Sequence, residues 1–185
     1  MTRAIIILGA VLFLAAGSLQ AQNTQPYAGM QARPLKALSD EQLADLTAGR
    51  GMGLALAAEL NGYPGPKHVL ELATRLNLTE AQRQRTQQLY DAMTAEAIPL
   101  GQQLIAAETE LDRQFSRRTI TPASLASATA TIGAAQGRLR ATHLKYHLSM
   151  MDVLTPEQVR RYGELRGYGG VPSNEHAPAM RHHMQ

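Results

Sequence analysis

His143 and His147 stand four residues apart in a stretch whose apolar residues recur with a helical period, so their imidazoles are neighbours on one helix face. Met150 and Met151 follow within the next turn. At about 100° per residue the four side chains span an arc of roughly 100°. Two imidazoles and a thioether suit Zn²⁺, Ni²⁺ or a copper ion, because imidazole is a borderline ligand and thioether favours Cu(I). Two side chains alone make a weak site. Further ligands can come from His68 and Glu71, one turn apart on a short helix expected to begin at Pro66 or Lys67. The competing reading puts His143 at the edge of an apolar stripe, His147 in solvent, and the methionines in the core as filler.

A second set lies at the C-terminus. His176, Met180, His182, His183 and Met184 fall within nine residues of a polar, proline-broken stretch, 169–185. Such a stretch reads as a flexible chelator, with thioethers for copper or silver and imidazoles for zinc. The bland alternative is a polar terminus whose affinity shows only on a nickel column.

Other chemistries lack their parts. The chain has no cysteine, no G-x-S-x-G and no phosphate-binding loop, so neither nucleophilic nor nucleotide chemistry is expected, and no enzyme is visible. Gly49, Gly51 and Gly53 superficially resemble a glycine-rich loop, but they follow a helical pattern and not a strand. They read as a hinge or as a place where helices approach closely. Glu108, Glu110 and Asp112 lie on different sides of one helix and read as solvated.

The elements that must position these residues are helices. Residues 1–21, with Arg3 ahead of an apolar run from Ala4 to Ala16, read as a secretory signal peptide cleaved after Ala21 or Ser18. The run is too short to span a bilayer stably, so no membrane span is expected in the mature chain. Its removal lowers the formal charge from +3 to +2, with no clustered basic face, which argues against nucleic-acid binding. The remaining 164 residues hold 24 Ala and 21 Leu against eight Ile and Val, a bias toward helix formers that predicts an all-α fold. An exported chain without cysteine must hold together by helix packing.

Residues 22–37, polar and carrying Pro26 and Pro34, read as a disordered linker. Beyond them Ser39 with Gln42, Thr79 with Gln82 and Thr155 with Gln158 each have the spacing of a capping box, in which hydroxyl and amide cap one helix start reciprocally. Thr121-Pro122 is a similar start without the Gln. These signals predict helices near 40–47, 80–117, 122–153 and 156–166, with a helical extension over 38–62 and a main domain over 63–168. Leu89, Met93, Leu100, Leu104, Leu111 and Phe115 form one stripe of the first long helix, which Pro99 should kink. The second carries a stripe from Leu125 to Val153 and a further apolar edge at Leu144, Leu148 and Met151. The tight turn between them predicts an antiparallel hairpin, and the extra edge predicts a homodimer.

The pair of Leu-Thr-x-x-Gln boxes, Leu78, Thr79 and Gln82 before a long helix and Leu154, Thr155 and Gln158 before a terminal one, resembles the Spy/CpxP family over roughly residues 66–168. That family holds periplasmic chaperones, envelope-stress regulators, zinc-associated proteins and heavy-metal sensors. The resemblance implies a hooked four-helix protomer, a cradle-shaped antiparallel dimer, a periplasmic location and ATP-independent binding of unfolded envelope proteins, with no cofactor required. Client binding is the leading expectation; the alternative is a metal sensor or buffer using His and Met ligands, and docking onto the periplasmic domain of a sensor kinase is compatible with both. The long helices lack the strong basic surface expected of a client cradle; Arg117-Arg118 and Arg160-Arg161 are the densest basic spots.

Overall fold

The computed structural model describes residues 25–168. The expected signal peptide, 1–21, and the histidine- and methionine-bearing tail with His176, Met180, His182, His183 and Met184 lie outside the described residues. The described chain is all-helical: α1 Asp40–Thr47, α2 Leu56–Glu59, α3 Pro66–Glu71, α4 Glu80–Ser116, α5 Pro122–Met151 and α6 Pro156–Leu165. Among these residues no helix is long and apolar enough to cross a membrane.

Each principal helix starts where its cap chemistry dictates. The side chains of Ser39, Thr79 and Thr155 accept from the backbone N–H of Gln42, Gln82 and Gln158, and each Gln accepts in return from the cap's own N–H. That exchange satisfies two otherwise orphaned donors per helix. The start at Thr121 is a complete box as well, with Ser124 in place of the expected Gln. Ser has a short hydroxyl that reaches the cap N–H at 3.0 Å. Pro66, Pro122 and Pro156 occupy first-turn positions where a missing N–H leaves nothing unpaired. Helix α4 runs unbroken through Pro99. Pro99 and Ala95 are both exposed, so water can serve the Ala95 carbonyl that proline deprives of its helical donor.

Helices α4 and α5 form the hairpin. One apolar cluster lies where α3 and α6 meet its open end and includes Val69, Leu76, Leu78, Leu89, Met93, Tyr146, Met150, Leu154 and Tyr162. The other lies under α1 and includes Leu46, Ala97, Leu104, Ile132, Ala135 and Leu139. Helix α1 touches α4 at Gly101, where a Cβ would stand 2.3 Å from the Leu46 carbonyl oxygen. The stripe expected on α4 is buried at Leu89, Met93 and Leu104 and ends exposed at Phe115.

The two Leu-Thr-x-x-Gln boxes close on each other. Leu78 and Leu154 are buried in the same cluster. Gln82 Nε2 donates to Gln158 Oε1 at 2.8 Å and to the Val153 carbonyl at 2.9 Å. Gln158 Nε2 donates back to Gln82 Oε1 at 3.0 Å and to the Leu76 carbonyl at 3.3 Å. The motif residues therefore fix the starts of α4 and α6 side by side, which holds the open end of the hairpin in register.

Of the stretch expected as a linker, 22–37, the described part begins at Gln25: Gln25–Ala32 carry turns and a one-turn 3₁₀ helix, Met30–Ala32, and in the separate unit that begins at Arg33 the Leu35 side chain is buried. An apolar leucine beside a helix start finds a core to enter even in a polar stretch. Within the helical extension expected over 38–62, the apolar run Leu54 to Leu60 forms only a single α-turn, Leu56–Glu59, because Gly53 at φ +77° and the turn cluster after Leu60 cut it at both ends.

Candidate metal centre

Helix α5 carries His143 and His147 to the hairpin's inner side, where they are 2% and 7% exposed. His147 is thus not solvated. The chain segment Gly51–His68 folds back over this part of α5 and brings α2 with it. Together with Met93 of α4 and Arg166 and Tyr168 beyond α6, these residues line a cavity of about 360 Å³.

The His147 ring is oriented by its Nδ1, which lies 2.7 Å from the Tyr63 carbonyl oxygen. A carbonyl only accepts, so Nδ1 holds the proton, and in the neutral ring Nε2 carries the lone pair. A ring nitrogen fixed in this way is the usual support for a metal-ligating imidazole. Gly65 lies against the same ring: a Cβ there would stand 2.9 Å from His147 Nε2 and 2.7 Å from Cε1. The missing side chain keeps the space beside Nε2 open.

His143 Nε2 is buried and has no hydrogen-bond partner. Burial, and secondarily the neighbouring His147, hold its pKa below the usual histidine range, which favours the neutral, ligand-competent ring. Gly51 packs on the other edge of that ring, its Cβ position 3.6 Å from Nδ1.

Glu59 of α2 is the acidic member, at 6% exposure. Its Oε1 accepts from the Tyr162 hydroxyl at 2.5 Å, the Tyr168 hydroxyl at 3.2 Å and Arg166 Nε at 3.3 Å. Burial, reinforced by the Glu59 carboxylate, pushes the Tyr162 phenol up, so it stays a donor. Glu59 Oε2 is the second buried atom here without a hydrogen bond; His147 Nδ1 stands 3.8 Å away, beyond hydrogen-bond range. Two orphaned buried atoms on residues that line one cavity are an exception to the rule that buried polar groups are paired.

The sequence-derived ligands are distributed as follows. His68, His143 and His147 line the one cavity. Glu71 is not among its lining residues. It holds His68 Nδ1 at 2.9 Å, and that hydrogen bond lowers its own pKa, so its role is to orient His68. Met150 is fully buried in the apolar cluster with Val69 and Leu76, and Met151 is 39% exposed. Neither reaches the cavity. Met150 shares the His143 face, but seven residues of rise carry it about 10 Å down the axis, into the next packing layer.

Glu59, Met93 and Met52 line the cavity without having been singled out in the sequence as ligands. Glu59 had a readable signal: it is the one charged residue in the run Leu54 to Leu60, and an isolated carboxylate on a buried turn needs partners. Met93 reads as core because it belongs to the α4 stripe. Met52 gives no sequence signal beyond its flanking glycines. Among the described residues, no group of three or more His, Cys, Asp or Glu side chains is gathered closely enough to hold a metal ion. The donor-bearing side chains on this lining are the imidazoles of His68, His143 and His147, the thioethers of Met52 and Met93 and the Glu59 carboxylate.

A family model described as heavy-metal resistance matches residues 51–161, a span that contains Met52, Glu59, His68, Met93, His143, His147 and both Leu-Thr-x-x-Gln boxes. No curated protein and no solved structure matches the chain.

Proposed function

The chain belongs to the heavy-metal resistance family, and from that premise we propose that it is an exported metal-binding protein, a sensor or buffer, whose folded site is the His143–His147 cavity. The observation that carries this reading is the pair of unpartnered buried atoms, His143 Nε2 and Glu59 Oε2, on two residues that line one cavity. His147 Nε2 would be the second nitrogen ligand, oriented by the Tyr63 carbonyl, and Gly65 leaves it room. A bound ion would supply the positive charge that both lone pairs and the free carboxylate oxygen lack. The tail residues His176, Met180, His182, His183 and Met184 would act as auxiliary, weaker ligands. Calorimetric titration with Zn²⁺, Ni²⁺ and Cu⁺ tests this on the full chain with those five residues replaced by alanine. Binding of one equivalent tighter than micromolar is expected, and its absence would leave only the tail as a ligand.

The wider family resemblance adds a second role, in which the protein binds unfolded envelope proteins as a periplasmic chaperone, as a homodimer, or in concert with a sensor kinase. Supporting it, Leu148 and Met151 form an apolar edge on α5 and are 59% and 39% exposed. Leucine and methionine on such an edge adapt to many partners. Suppression of aggregation of a denatured client at stoichiometric protein is the expected result, and no suppression would exclude the role. Sedimentation addresses the dimer, and pull-down from envelope extracts addresses the kinase.

A further inference from the structure

The choice of ion is written into the cavity's donors. Lining it are two imidazoles, from His143 and His147, and two thioethers, from Met52 and Met93. Zinc sites call for about four N, S or O ligands, and thioether is the donor that singles out Cu(I) among the metals. The described residues gather no trio of His, Cys, Asp or Glu. A soft ion of low coordination number needs none.

The cationic side chains of the lining are each ion-paired, Arg50 with Asp45, Lys67 with Glu71 and Arg166 with Glu59, so the choice of ion falls to the donors.

Met52 is placed by its backbone. It is held at φ +44° between Gly51 and Gly53, the latter at φ +77°, a left-handed region that side-chain-bearing residues seldom occupy; Asn77 and Arg118 share it where a turn ends and α4 stops, whereas Met52 lines the cavity. Gly49, at φ +66°, anchors the same loop against α4, where a Cβ would meet Ile98 and the Thr94 carbonyl at 3.1 and 3.2 Å. Gly51 then lies in contact with the His143 ring. The glycines thus carry a methionine to the cavity beside a buried imidazole whose Nε2 has no partner.

We propose that the cavity is a site for a soft monovalent cation, Cu(I) or Ag(I), held by the imidazoles of His143 and His147 with the thioethers of Met93 and Met52, and that the Gly49–Gly53 loop exists to bring Met52 to the ion. This rests on the reading of the cavity as the metal site and names the class of metal it takes. The probe is Ag⁺, which needs no reductant, titrated into the full chain with the five tail ligands replaced by alanine, alongside Zn²⁺ and Ni²⁺. Met52→Leu and Met93→Leu keep volume and apolar character while removing sulfur, so their thermal melts should stay close to that of the parent. The expected result is one equivalent of Ag⁺ bound more tightly than Zn²⁺ or Ni²⁺, weakened by about tenfold or more in each Met variant, with sulfur scatterers in the X-ray absorption spectrum. Zn²⁺ or Ni²⁺ binding at least as tightly as Ag⁺, or Ag⁺ binding indifferent to both variants, would overturn the proposal and leave the metal-site reading standing. Failure of all three ions to bind would overturn both.

Discussion

Gln82 and Gln158, 76 positions apart, donate their amide hydrogens to each other's oxygens at 2.8 and 3.0 Å while each oxygen also caps its own helix. A capping motif that occurs twice in the sequence is in space one joint. The joint stands at the end of the hairpin where α3 and α6 pack, and so fixes the elements that carry His68 and Arg166 to the cavity.

Gln82→Ala and Gln158→Ala should each cost about 1–2 kcal/mol, since each removes half a capping box and a cross-chain amide bond. Because the two share that bond, the double variant should cost less than the sum of the singles, by about 1 kcal/mol. Urea unfolding of the four proteins in a double-mutant cycle measures the difference. Strict additivity would mean that the amide pair is not a coupled unit.

Gly101→Ala should destabilise the chain by about 2 kcal/mol or more, because the new methyl meets backbone, the Leu46 carbonyl, and not a movable side chain. Gly133→Ala is the control. Nothing lies within 4 Å of its Cβ position in mid-α5, so the higher helix propensity of alanine should raise stability by up to about 1 kcal/mol. Thermal melts of the two variants should move in opposite directions.

Gly65→Ala tests the open space beside His147. The Gly65 backbone, at φ −90° and ψ 145°, accepts alanine without strain, so the effect falls on the imidazole, which a Cβ would crowd at 2.7 Å. Metal affinity should fall by about tenfold or more with a much smaller change in melting temperature. Calorimetry and a melt on the same sample separate the two.

Tyr146 ties the hairpin together by donating to Glu96 Oε1 at 2.8 Å. Burial, aided by that carboxylate, pushes its phenol up to about 12. An unfolded tyrosine titrates near 10, so above that pH the unfolded chain gives up a proton that the folded chain keeps. The contribution, about 2 kcal/mol, is fully present below pH 10 and is lost as pH rises toward 12. Tyr162 is pushed up by burial and Glu59 in the same direction. Melting temperature should therefore fall through this window, and less steeply in Tyr146→Phe.

The helices were legible in the sequence because their starts are local chemistry: a hydroxyl and an amide three residues apart state where α1, α4 and α6 begin. The family was legible for the same reason. The meeting of His68 with His143 and His147 was legible only as an expectation of packing, since nothing in their spacing fixes how α3 lies on α5. Glu59 was legible only as a lone charge in an apolar run, not as the partner of Tyr162, more than a hundred residues on. Met52 was out of reach, because its placement depends on a left-handed backbone between two glycines. Met150 misled because a helical wheel reports angle and not height: it shares the His143 face but sits in a different layer.

The most direct measurement is the ring-nitrogen NMR signal of His143 and His147 in the full chain, followed as one equivalent of metal is added. The expected result is that His143 Nε2 and His147 Nε2 shift by the amount characteristic of metal ligation while His147 Nδ1 keeps its proton on the Tyr63 carbonyl. Shifts confined to His176, His182 and His183, with the two buried rings unmoved, would contradict a folded metal centre in this cavity.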